Sequence, residues 1–248
     1  HLGLVQALEN SALEGFLDSA AEFVAEHVDL EAMEKLGSIS VTEPKTNHPP
    51  LRPLGQKMAV ARDQAFAFAY PHVLDGWQNQ GAELTLFSPL ADEAPQACDA
   101  IYLPGGYPEL HAGKLASNTN FLNSIRSCAR ENLTIFGECG GYMVLGQGLV
   151  DADNERHEMA GLLPLETSFA DRRLHLGYRE VSLKNDHALG AKGSLFRAHE
   201  FHYATITREE GDEALFIGND SEGNSLGTFG HRIGAVAGSF IHLIDQSD

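Results

Sequence analysis

The chain has 248 residues, 43% apolar and 21% charged, a globular composition with room for one large domain or two small ones. Its net charge of −18 argues against nucleic acid as a partner, because phosphate binding needs clustered Lys and Arg. No apolar run is long enough to span a bilayer, and the opening HLGLVQALEN lacks the basic start and cleavage site of a signal peptide. That opening also lacks an initiator methionine, as expected of a fragment or a processed chain.

In chain order, the first forty residues carry eight acids and one lysine. Leu13, Phe16, Leu17, Ala20 and Val24 recur at helical spacing and predict an amphipathic helix. DLEAMEKLG predicts a second, shorter helix that Gly37 stops. SISVTEPKTNHPPLRPLGQ holds four prolines and little periodicity, and reads as an extended linker. Beyond it, 57–62, 82–87, 99–106 and 132–137 are short apolar runs expected to be buried strands, with helical stretches at 65–80 and 109–130. Strands alternating with helices predict an α/β fold whose mostly parallel sheet is covered by helices on both faces. From about residue 155 the texture turns more β-like, ending in the apolar AVAGSFIHL (235–243).

Cys98, Cys128 and Cys139 are odd in number and have no CxxC spacing. That argues against a disulfide framework or a zinc site and for a reducing cytoplasm. Cys139 stands apart, because Gly137-Glu138-Cys139-Gly140-Gly141 lies where a strand meets a helix. Small residues two before and two after a nucleophile form a sharp elbow that thrusts its side chain into a crevice. At a helix N-terminus, the dipole and free N–H groups are expected to favour a thiolate, and the Gly140 N–H to help hold an oxyanion. Cys128, on one helical face with Phe121 and Ile125, reads as core, and nothing near Cys98 would activate it.

YLPGGYPEL ends a second strand in Gly105-Gly106 and opens a helix at Pro108 and Glu109. Strand ends of a parallel sheet meet at its carboxyl edge, so N–H groups near Gly106 are expected to face Cys139 and complete an oxyanion hole. A thiol nucleophile also needs a base. Of twelve histidines, His242 ends an apolar strand, whereas His199 and His202 flank Glu200, a candidate orienting carboxylate. Spacing alone leaves the three open.

The stretches AVARDQAFAFAYP, FSPLADE, YLPGGYPELHA, GECGGYMVLG, MAGLLPLETSF, LGYREV, AHEFHYATI and GSFIHL occur in one order. Through them, residues 57–248 resemble the triad-type (class I) glutamine amidotransferase domain of cobyrinic or hydrogenobyrinic acid a,c-diamide synthases. The resemblance implies a flavodoxin-like fold and a glutaminase that supplies ammonia for amidation of a corrinoid's a and c acetate carboxylates. It implies that Cys139 is the nucleophile and His242 the base, with His199 and His202 structural or shaped for a partner domain. Ile244 stands where many triad enzymes have a glutamate, so the third member is unassigned and a Cys–His dyad is open. Pro104 stands where relatives often have a third glycine.

Residues 1–40 resemble the end of the preceding ATP-dependent synthetase domain, with 41–56 as linker. No G-x-x-x-x-G-K-[ST] occurs, so that domain, with its ATP and Mg²⁺, is expected outside this chain. No cofactor or metal is expected in the amidotransferase domain itself. A cobyric acid synthase-type amidotransferase and a related cysteine hydrolase without an ammonia acceptor are the competing readings.

Overall fold

The computed structural model describes residues 7, 10–38, 50–211 and 213–247. The chain divides into two compact units, His1–Asn47 and His48–Asp248. In the first, α1 (Leu13–His27) and α2 (Leu30–Gly37) form where the periodicity predicts them, and Asp29 caps α2 by accepting from the Ala32 N–H. Both carry their apolar residues exposed, Phe16, Phe23 and Met33 among them, so neither helix finds a core within its own unit. Most of the expected linker (41–49) lies outside the described residues. Its last part is corrected, because Leu51 and Leu54 are buried in the core of the second unit.

The second unit begins with β1 (Lys57–Ala61), α3 (Pro71–Asn79), β2 (Glu83–Phe87), β3 (Ala100–Leu103), α4 (Ala112–Ser117), α5 (Thr119–Arg130), β4 (Thr134–Glu138) and α6 (Gly140–Leu145). Seven short strands come next: β5 (Gly148–Val150), β6 (Arg156–Glu158), β7 (Leu165–Ser168), β8 (His175–Leu183), β9 (Leu195–His202), β10 (Thr205–Glu209) and β11 (Phe216–Asp220). The chain closes with β12 (Ser225–Phe229), β13 (His231–Ile233), β14 (Val236–Ser239) and β15 (Ile241–Ser247). The central sheet runs β13-β14-β4-β3-β1-β2 and is parallel throughout except for the edge strand β13. Its middle strands are buried along their length, as continuous apolar runs in a two-sided sheet must be. Fully buried Phe136, Ile101 and Ile135 each contribute about 1.5–3 kcal/mol of apolar burial.

Several boundaries differ from the sequence expectation, each for a local reason. The helix expected over 65–80 starts only at Pro71, whose fixed φ suits a first helical turn; the loop before it bonds through the Phe68 N–H to the Gly105 carbonyl. The helix expected over 109–130 breaks at Asn118, whose side chain donates to the Pro89 carbonyl instead of continuing the helix. Strand β3 stops at Leu103, because Pro104 has no N–H to give a ladder. AVAGSFIHL is two strands rather than one: β14 belongs to the central sheet, and β15 joins a separate sheet, β12-β11-β8-β9-β15. Cys128 is half-buried at the end of α5 rather than in the core.

That crossing at Phe240 places the site. The carboxyl ends of β3 and β4 meet the start of β15, so residues after Leu103, after Glu138 and after Phe240 converge at one edge.

Candidate active site

Cys139 sits between β4 and α6 with φ 49° and ψ −105°, in a region a side chain-bearing residue seldom adopts. Such strain costs about 1–3 kcal/mol and persists only where the surroundings impose it. Here they do. The Cys139 N–H donates to the Ser239 carbonyl (2.8 Å) on one side, and the Gly141 N–H to the Pro104 carbonyl (3.1 Å) on the other. The glycines let these backbones touch: a Cβ on Gly141 would lie 2.0 Å from the Leu103 carbonyl oxygen, and one on Gly137 2.8 Å from the Gly141 backbone. Gly141→Ala must therefore part β3 from α6. An overpacking loss of about 1–3 kcal/mol is expected in urea denaturation, and an unchanged midpoint would contradict this packing.

Gly105 lies between the two expected catalytic side chains. A Cβ there would stand 2.7 Å from His242 Cε1 and 3.4 Å from Cys139 Cβ. Gly106 packs with equal tightness, its backbone N 3.1 Å from where a Gly140 Cβ would be. The Cys139 thiol donates to the Phe201 carbonyl (3.8 Å), the Gly140 N–H favours its charged form, and the Gly106 nitrogen packs against Gly140. Cys139, His242, Gly106 and Gly140 are thus brought together, although the sequence spreads them over more than a hundred residues.

Glu138 locks the arrangement. Its carboxylate accepts from the Tyr102 hydroxyl (2.7 Å) and from the Leu243 N–H (3.1 Å), tying the residue before Cys139 to the residue after His242. Burial pushes this carboxyl up to about 7, with those two hydrogen bonds opposing the shift. Glu109, in the 3-10 turn Pro108–Leu110 beside α6, is buried and likewise raised to about 7 by burial.

Two expectations about the site are corrected. The helix start at Gly140 does not yield a resting thiolate. Burial, then the nearby charge of Glu109, push the Cys139 thiol well above its usual range; the Gly140 N–H opposes them, and Glu138 and Glu200 add to the rise. Burial, then His199 and His202, lower His242 to about 3. Both shifts favour the neutral thiol and the neutral imidazole in the closed site. At pH 7.5 iodoacetamide should modify half-buried Cys98 at least about tenfold faster than Cys139, since only the thiolate reacts. Peptide mapping reads this, and a Cys139 that labels first, with a plateau below pH 7, would contradict it.

The second correction concerns the His199–His202 segment. Glu200 is turned to the rival His202 and not to His242: its carboxylate accepts from Arg179 (2.8 Å) and is bonded to His202 Nε2 (2.9 Å). His202, held also at the Ala204 carbonyl, stacks against Phe240 and His175. His199, by contrast, belongs to the site. It pairs with His242 across β9 and β15, and the two rings lie flat on each other with centroids 4.7 Å apart and planes 1° apart. Tyr70 is hydrogen-bonded to His199 Nε2 and edges onto both rings. Its side chain was not singled out by sequence; the only signal is the proline after it, which holds Tyr70 extended at the mouth of α3.

His175, Glu200 and His202 offer ligand atoms within 4.8 Å of one another. They are a poor metal cage, because Glu200 is already committed and the two imidazoles lie 4° from parallel, so their lone pairs do not converge. A second group, Asp151, Glu155 and His157, is nearer the surface, with Asp151 bonded to His157 (2.8 Å). No described helix is long and apolar enough to cross a membrane.

The family model for the CobB/CobQ-like glutamine amidotransferase domain matches residues 57–248. The chain is 56% identical over 247 residues to a hydrogenobyrinate a,c-diamide synthase from Sinorhizobium sp, covering 99% of this chain and 56% of that protein. It is 55% identical over 249 residues to the one from Rhizobium meliloti (strain 1021), covering all of this chain and 57% of the relative. The chain therefore spans little more than half the length of these curated relatives. Among solved structures, PurLQS from Thermotoga maritima matches with a TM-score of 0.52 at 16% identity, covering 76% of this chain and 87% of that one, a likeness of fold. With the α/β architecture, the elbow and these matches in agreement, the chain belongs to the CobB/CobQ-like glutamine amidotransferase domain family.

Proposed function

We propose that this chain hydrolyses glutamine and that the ammonia serves ATP-dependent amidation of the a and c acetate carboxylates of hydrogenobyrinic or cobyrinic acid. The observation that carries the chemistry is the strained Cys139 facing His242 across Gly105. The names of the relatives carry the acceptor. In this reading His242 takes the Cys139 proton as sulfur attacks the side-chain amide carbon of glutamine. The N–H groups of Gly106 and Gly140 hold the oxyanion, and His242 returns the proton to the departing ammonia. Water then attacks the γ-glutamyl thioester, releasing glutamate and restoring the thiol. A neutral pair suits this sequence, since the thiol gives up its proton only when an acyl acceptor is in place.

The domain assignment follows. Residues 57–248 are the glutaminase, and residues 1–40, in a separate compact unit, are the end of a synthetase region that holds ATP and Mg²⁺ in the longer protein. No cofactor is assigned to the glutaminase step, and the protein is placed in the cytoplasm. The test measures glutamine hydrolysis by the full-length protein with and without its acceptor. The full-length enzyme should convert glutamine to glutamate faster when ATP and corrinoid are present, by the differential contacts that coupling requires. Equal rates with and without acceptor would refute the coupling, and amidation of a different corrinoid carboxylate would refute the acceptor.

A further inference from the structure

His242 has the base's position, with Cε1 and Nδ1 the ring atoms nearest Gly105 on the Cys139 side. It is 3% exposed, and its Nδ1 is buried without a hydrogen-bond partner among the described residues. A catalytic histidine normally has its second nitrogen bonded to a carboxylate, which fixes the ring's orientation and steadies the imidazolium. Here the residue two positions on is Ile244. Of the three buried carboxylates around the site, Glu138 is engaged by Tyr102 and the Leu243 N–H and Glu200 by Arg179 and His202, while Glu109 acts on the Cys139 thiol.

What touches His242 instead is the face of His199, parallel to within 1°. His199 is itself fixed on two sides. Tyr70 bonds its Nε2, and the Glu200 backbone lies within reach of the ring. Burial lowers the His199 pKa, which favours its neutral form. An imidazolium formed at His242 then lies on a neutral π-face. A charged neighbour at 4.7 Å would repel it.

We propose that His199 and Tyr70 are positioning residues for the glutaminase reaction, a stacked plate and its brace that hold the His242 ring in place of an orienting carboxylate. The proposal rests on the glutaminase reading above, and both residues act through His242 without touching the reacting atoms.

The test is steady-state glutaminase kinetics on His199→Ala, His199→Phe and Tyr70→Phe in the full-length enzyme, with thermal melts of each. The same variants are also treated with diazo-oxo-norleucine, a glutamine analogue that alkylates the nucleophile. His199→Ala should lose about 10²-fold in kcat with KM changed less than about threefold, because orientation of the base is lost while the substrate pocket stays. His199→Phe restores a flat ring and should recover about tenfold of that loss. Tyr70→Phe should lose about three- to tenfold, the scale of one hydrogen bond. Wild-type kcat in His199→Ala would overturn the proposal. So would equal losses in the Ala and Phe variants alongside a lowered melting temperature, which would mark a merely structural role. Failure of the wild-type enzyme to react with the analogue at Cys139 would instead overturn the glutaminase reading.

Discussion

Cys139→Ala should abolish glutamine-dependent ammonia release, with a fall of about 10⁴–10⁶-fold, the scale seen when a covalent hydrolase loses its nucleophile. The protein should stay folded. Alanine is smaller than cysteine, and the backbone bonds that impose the Cys139 conformation, from its N–H to Ser239 and from Gly141 to Pro104, do not use the side chain. In the full-length enzyme the same variant should still amidate its acceptor from added ammonium salts, since only the ammonia source is gone. Ammonia release from glutamine near the wild-type rate would refute the nucleophile; loss of both glutamine- and ammonium-dependent amidation would point to damage beyond the site.

His242→Ala should cost about 10²–10⁴-fold in glutaminase kcat/KM, as loss of a positioned base does. Its effect should exceed that of His202→Ala. His202 is bonded to Glu200 and Ala204 and stacked on Phe240, so its loss falls first on stability: removing the partner of a buried carboxylate costs about 1–3 kcal/mol or more. Stopped-time ammonia assays and urea midpoints on the two variants separate these effects. A His242 variant with full activity beside an inactive but stable His202 variant would exchange their roles.

Much of this site is legible in the sequence because it is built from backbone. Glycines at 137, 140 and 141 announce a close approach, and Gly105-Gly106 a second turn, since only residues without a Cβ fit against Leu103 and Ala65 at about 2 Å. Strands β1, β3 and β4 are legible because burial on both faces makes each a continuous apolar run, whereas β2, at the sheet edge, leaves Leu86 exposed.

The rest was hidden for two physical reasons. Whether GSFIHL continues a strand or turns a corner depends on a change of sheet at Phe240, and the apolar pattern is the same either way. The balance of charge at Cys139 is set by burial and by Glu109, Glu138 and Glu200, which no local window brings together. A helix start read alone gives the wrong sign for that thiol. Likewise His199 and Tyr70 are 129 residues apart, and His199 meets His242 only because β9 lies beside β15.

The most direct test of the account is to trap the covalent intermediate. The chain is mixed with isotope-labelled L-glutamine, quenched in acid within the first turnovers and mapped by peptide mass spectrometry. The account predicts a γ-glutamyl group on the peptide containing Cys139, absent in Cys139→Ala and accumulating less in His242→Ala. Label on Cys98 or Cys128, or glutamate formed at the wild-type rate by the Cys139→Ala chain, would contradict it.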